Sequence, residues 1–148
     1  MNNGLHDLRS FLESAALKVT EQQQALVIHF DDHTSLTLQL SLHYHPDDGQ
    51  RYVQFLIPIG VDIPDQHFLH AAQVIADFNQ VSPLGIFSIS AESRPYFDYS
   101  FQVPAHGECM LNLLEAIQLS HLFAGRLMEF LQRKLREWLM PGFRPQVA

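Results

Sequence analysis

The chain has 148 residues, 47% of them hydrophobic and 17% charged, with 16 acids against 9 bases and a formal net charge of −7. That length predicts a single domain, 1–148, around one core, and the composition excludes extensive disorder. The acidity argues against nucleic acid as a partner, since phosphate-backbone binding needs a basic surface that releases counterions.

The start, MNNGLHDLRS, has neither a basic n-region nor an apolar h-region, and no apolar run reaches the roughly 18 residues of a membrane span. A cytoplasmic protein without membrane contact is expected. The single cysteine, Cys109, allows no intrachain disulfide and no Cys-rich metal site. Charge is uneven along the chain: residues 1–125 hold four bases against 14 acids, and 126–148 hold five against two. Arg133, Lys134 and Arg136 suit the C-terminal end of a helix.

Leu5, Leu8, Leu12, Ala15, Ala16 and Val19 form an apolar stripe behind Asn3, a good N-cap, and predict a helix over about 4–18. A polar link at Glu21 to Gln24 precedes a short apolar strand, Ala25 to Phe30, which turns at Asp31-Asp32-His33. Leu36, Leu38, Leu40 and Leu42 alternate with Thr37, Gln39, Ser41 and His43, a strand with one buried and one wetter face. After the turn Pro46-Asp47-Asp48-Gly49, Val53, Phe55, Ile57 and Ile59 mark a third strand, with Pro58 at its edge or frayed end.

Pro64 and Asp65 start a helix that runs to about Gln80 on Phe68, Ala71, Ala72, Ile75 and Phe78, and Ser82, Pro83 and Gly85 end it. Strands follow at roughly 85–90 and 95–103; in the second, Phe97, Tyr99, Phe101 and Val103 alternate with Tyr96, Asp98, Ser100 and Gln102. A long helix at about 108–140 and a tail at 141–148 complete the chain. The order α-β-β-β-α-β-β-α, with short links inside each strand group, predicts an α+β fold: an antiparallel sheet of about five strands and three helices. The helices should cover one sheet face and leave the Thr37, Gln39, Ser41 side open.

This order, with the phrase FNQVSPLGIFSI and the aromatic strand YFDYSF behind it, resembles the YbjN family and the wider type III secretion chaperone-like fold. The resemblance covers most of the chain and rests on no catalytic signature. It implies a small acidic dimer that binds a partner protein or serves a regulatory role.

Several residues carry candidate chemistry of their own. His43 and His45 lie two apart at a strand end, near Asp47 and Asp48, and imidazoles with carboxylates can ligate zinc; a polar strand end entering a turn is the favoured reading. His29, Asp31 and His33 form a similar set. Cys109 at a helix start, with His106 before it, has the setting of an activated thiol, against which stands the usual buried free cysteine. His121 among apolar neighbours reads as a hydrogen-bonded core histidine. Gly85, Gly107 and Gly125 are isolated, so no phosphate-cradling loop occurs.

The expected function is therefore a non-enzymatic chaperone, adaptor or regulator that binds another protein or peptide segment as a homodimer, without a cofactor or metal. The alternative is a small-molecule- or metal-responsive module or an enzyme built on His43, His45 or Cys109. The last helix carries more apolar surface than one core-facing side needs, so Leu127, Phe130, Leu131, Leu135 and Trp138 are the expected dimer contact; a break at Gly125 would bury that surface within one chain instead.

Overall fold

A computed structural model describes residues 3–31, 35–47, 49–103, 110–140 and 142. Helix α1 (Asn3–Ser14) brings Leu5, Leu8 and Leu12 to one face, and all three are buried. It ends earlier than its apolar stripe predicts. Ala16 takes a left-handed φ of 65°, and the amides of Ala16 and Leu17 return to the carbonyls of Glu13 at 3.0 Å and Leu12 at 3.1 Å. That is a Schellman closure with alanine where glycine is usual.

Residues 18–22, expected as a helix end and polar link, instead form strand β1 (Lys18–Gln22). It pairs with β2 (Ala25–His29) across a two-residue turn in which Gln23 and Gln24 have φ of 46° and 66°. Only Val19 of β1 is buried, because β1 is an edge strand, so no apolar alternation announces it.

Strands β3 (Thr37–Tyr44) and β4 (Arg51–Pro58) extend the meander in an antiparallel register that sets Leu40 opposite Phe55. One 3₁₀ turn (Asp65–His67) leads into α2 (Phe68–Val81). Strands β5 (Ile86–Ile89) and β6 (Pro95–Val103) follow, and α3 (Met110–Trp138) runs unbroken through Gly125 for 29 residues, about 43 Å. The sheet therefore has six antiparallel strands in the order β1-β2-β3-β4-β6-β5. The extra strand apart, the α+β architecture and element order are those the sequence predicts.

All three helices lie on one sheet face. There Leu38, Leu40, Val53, Phe55, Ile57 and Phe97 are fully buried in one cluster with Leu12 of α1, Ile75 of α2 and Leu113, Leu127 and Leu131 of α3. Burying a side chain of this size stabilises the fold by roughly 1.5–3 kcal/mol. Among the described residues no helix lies on the opposite face: Gln39 is exposed, Thr37 and Ser41 are half-buried, Val27 is buried, and the register aligns Val27, Gln39, Leu56, Asp98 and Ile86 as one cross-strand row. Gln54 donates to Asp98 along this face at 3.1 Å.

Candidate functional site

α2 and α3 run antiparallel over the sheet. Phe78 near the end of α2 meets Phe123 near the middle of α3, edge to face at 6.5 Å, while His67 and His70 at the start of α2 meet Trp138 at the end of α3 at 5.5 and 5.4 Å. The sequence places these partners far apart in the chain, and two periodicities that each read as core give no sign that they meet. His67 is buried, its ring is stacked on the indole, and its Nδ1 lies 3.3 Å from Nδ1 of His70.

Outside this closure the two helices leave an open groove of about 770 Å³, a size within the usual range of ligand sites, roughly 300–1,000 Å³. Val74, Phe78 and Val81 line it from α2, and Phe130 and Trp138 from α3. Polar groups lie along its rims: Gln73 donates to Asp77 at 3.0 Å on α2, and Lys134 faces Glu137 at 3.4 Å on α3. Both are exposed helix pairs, and such pairs contribute about 0.5 kcal/mol or less each. The α3 side is basic beyond Lys134. Arg126 stands over the Phe123 ring at 5.3 Å, and Arg133 and Lys134 stand over the Phe130 ring at 5.4 and 5.5 Å.

The side chains expected at a dimer contact fall on both sides of this helix. Leu127 and Leu131 have no exposure and Trp138 has 8%, so these three are packed within one chain; Phe130 and Leu135 are half-buried. Elsewhere on α3, which has no break at Gly125, Leu119 and Leu122 are exposed at 38% and 46%.

The histidine candidates are held in local contacts. His43 stacks on Tyr52 across the strands at 5.2 Å, and its Nε2 is 2.9 Å from Ser41 Oγ. His45 Nδ1 accepts from the Asp47 amide at 3.4 Å, and His29 Nε2 lies 3.0 Å from Thr20 Oγ1 on the open sheet face. Among the described residues no three His, Cys, Asp or Glu side chains gather as a metal site. His33, Asp48, His106 and Cys109 lie outside the described residues. His121 is stacked on Phe30 at 3.8 Å and 17°, against β2.

An antiparallel sheet with helices on one face defines the class, and a solved structure shares it throughout. The crystal structure of YbjN from E. coli, described as a candidate transcription regulator, superposes with a TM-score of 0.58, covering 95% of this chain and 98% of its own at 15% identity. The chain has a YbjN-like fold. No protein-family model matches it, and no curated protein does. Among the described residues, no helix is long and apolar enough to cross a membrane.

Proposed function

We propose that the protein is a non-enzymatic regulatory or adaptor module of the YbjN-like class, which acts as a homodimer in the cytoplasm by binding another protein. The likeness to YbjN over 95% of the chain carries this reading. Two features support protein rather than nucleic acid as the partner. The net charge of −7 disfavours a phosphate backbone, and Val74, Phe78, Val81, Phe130 and Trp138 give the α2–α3 groove an apolar lining.

Affinity purification of the tagged full chain from its native host, with crosslinking and mass spectrometry, is the direct test. A stoichiometric protein partner is expected, and repeated recovery of the chain alone overturns the reading. Light scattering on the purified protein is expected to give twice the chain mass of 17.0 kDa. A monomer at that concentration removes the dimer and leaves partner binding to be judged by the first experiment.

A further inference from the structure

We propose that His67 and His70 form a binding site for a divalent transition-metal cation of the zinc or copper type, with Glu137 of α3 as its third ligand. The site lies where the start of α2 meets the end of α3, and it is independent of the protein-binding reading above.

The backbone sets the pair. The 3₁₀ turn before α2 closes with the His67 amide donating to the Pro64 carbonyl at 2.8 Å, and a spacing of i, i+3 puts His70 on the same face one turn on. The Nδ1 atoms of the two rings are 3.3 Å apart. That is long for a hydrogen bond from an N–H donor, most of which fall at roughly 2.7–3.2 Å. It is instead the separation of two nitrogens on one tetrahedral cation, where metal–nitrogen bonds of about 2.0–2.1 Å at about 109° set them about 3.3–3.4 Å apart. To share a cation each Nδ1 lone pair needs to point only about 35° off the line joining the two atoms, and neutral imidazole is the commonest ligand of such metals.

The surroundings restrain the donors and admit a cation. The indole of Trp138 stacks on His67 at 5.5 Å and lies 5.4 Å from the His70 ring. His67 is buried, whereas His70 is half-buried and lines the α2–α3 groove, so a cation reaches the pair from the groove. Glu137 lines the same groove. Its side chain is 51% exposed, and its 3.4 Å ion pair with Lys134 is weak enough to give up for a metal. Among the described residues no third ligating side chain already stands with the two rings, so Glu137 turns toward them on binding and water takes the fourth position. The positive end of the α2 dipole opposes a cation here, and the carboxylates of Asp65 on the 3₁₀ turn and of Glu137 offset it.

Trp138 is the single tryptophan of the chain, so its emission reports on this site. Titrating Cu²⁺ into the full chain is expected to quench it with a midpoint of about 10 µM or tighter, and calorimetry with Zn²⁺ is expected to give about one site per chain. His70→Gln should weaken the copper response at least about tenfold and Glu137→Gln at least about threefold. A His43→Gln, His45→Gln protein should respond as the parent does. Far-UV circular dichroism of each variant separates a lost ligand from a lost fold. In the unaltered chain, the imidazole NMR signals of His67 and His70 are expected to shift with about one equivalent of Zn²⁺ ahead of all others among the nine histidines.

No quenching at about 1 mM Cu²⁺, quenching insensitive to His70→Gln, or its loss in the His43→Gln, His45→Gln protein overturns the site. Zinc-induced shifts spread evenly over the histidines overturn it too, since they would mean general surface binding. An unchanged response in Glu137→Gln overturns the third ligand.

Discussion

The side-chain amide of Asn79 holds both backbone groups of Phe87: its Nδ2 donates to the Phe87 carbonyl at 2.9 Å, and its Oδ1 accepts from the Phe87 amide at 2.7 Å. β5 is an edge strand, so one side of its backbone has no neighbouring strand, and the last turn of α2 supplies a short substitute for one. Asn79→Ala is expected to leave a half-buried N–H and C=O without that partner and to lower stability by about 1–3 kcal/mol. Asn79→Asp keeps the acceptor but sets a carboxylate oxygen against the Phe87 carbonyl, so at neutral pH it should cost at least as much as the alanine. Urea denaturation of the three proteins checks the order, and an Ala variant as stable as the parent would show that the clamp contributes nothing.

Gly85 and Gly49 have nearly the same left-handed backbone, φ of 70° and 69°, in very different surroundings. A Cβ at Gly49 meets nothing within 4 Å, whereas one at Gly85 runs into the Phe97 ring and comes to 3.0 Å from the Asp98 carbonyl. Gly49→Ala should therefore cost only the left-handed strain, about 1–2 kcal/mol. Gly85→Ala adds overpacking worth about 1–3 kcal/mol on a fully buried phenylalanine. Thermal unfolding of both variants measures the gap, and equal losses would sink the packing account.

Ser120 is fully buried on α3, and its hydroxyl finds no hydrogen-bond partner among the described residues. Ser120→Ala removes an unpaired polar group and introduces the best helix former, so we expect a gain of about 0.5–1.5 kcal/mol. Chemical denaturation would show it. A loss of stability would mean that the hydroxyl has a partner, for instance a water held within the core.

The β1–β2 turn places two glutamines at positive φ, where Asn-Gly is the favoured pair for a two-residue hairpin. Replacing Gln23-Gln24 with Asn-Gly is expected to raise stability by about 0.5–1 kcal/mol. Because the turn is exposed and the strands already pair in register, the denaturant slope should not change. An unchanged midpoint would mean that the glutamines carry no strain.

These positions also show what could be read without a structure. β3 and β4 announced themselves through clean alternation, since one face of each is buried and the other is not. β1 did not, having a single buried residue, and the end of α1 lay hidden because alanine occupies the left-handed closure that glycine normally signals. The groove was less legible still. Phe78, Phe123, Phe130 and Trp138 each read as core or as dimer surface, and periodicity along one helix says nothing about which second helix it meets. The apolar excess of α3 was visible, but whether its own chain or another covers it is a tertiary question.

The strand order has a consequence for a chain made from its N-terminus. β1 to β4 pair as neighbours in sequence, so this half can assemble as it emerges. β4 then waits, because its second neighbour is β6, and the pairing of Arg51 with Val103 cannot form until α2 and β5 have been synthesised. Through that interval the free edge of β4 offers unpaired N–H and C=O groups beside Val53, Phe55 and Ile57, all fully buried in the finished sheet. A ribosome that stalls between β4 and β6 would thus leave a hydrophobic edge open to other nascent chains, and aggregation during synthesis should depend on how quickly that stretch is translated.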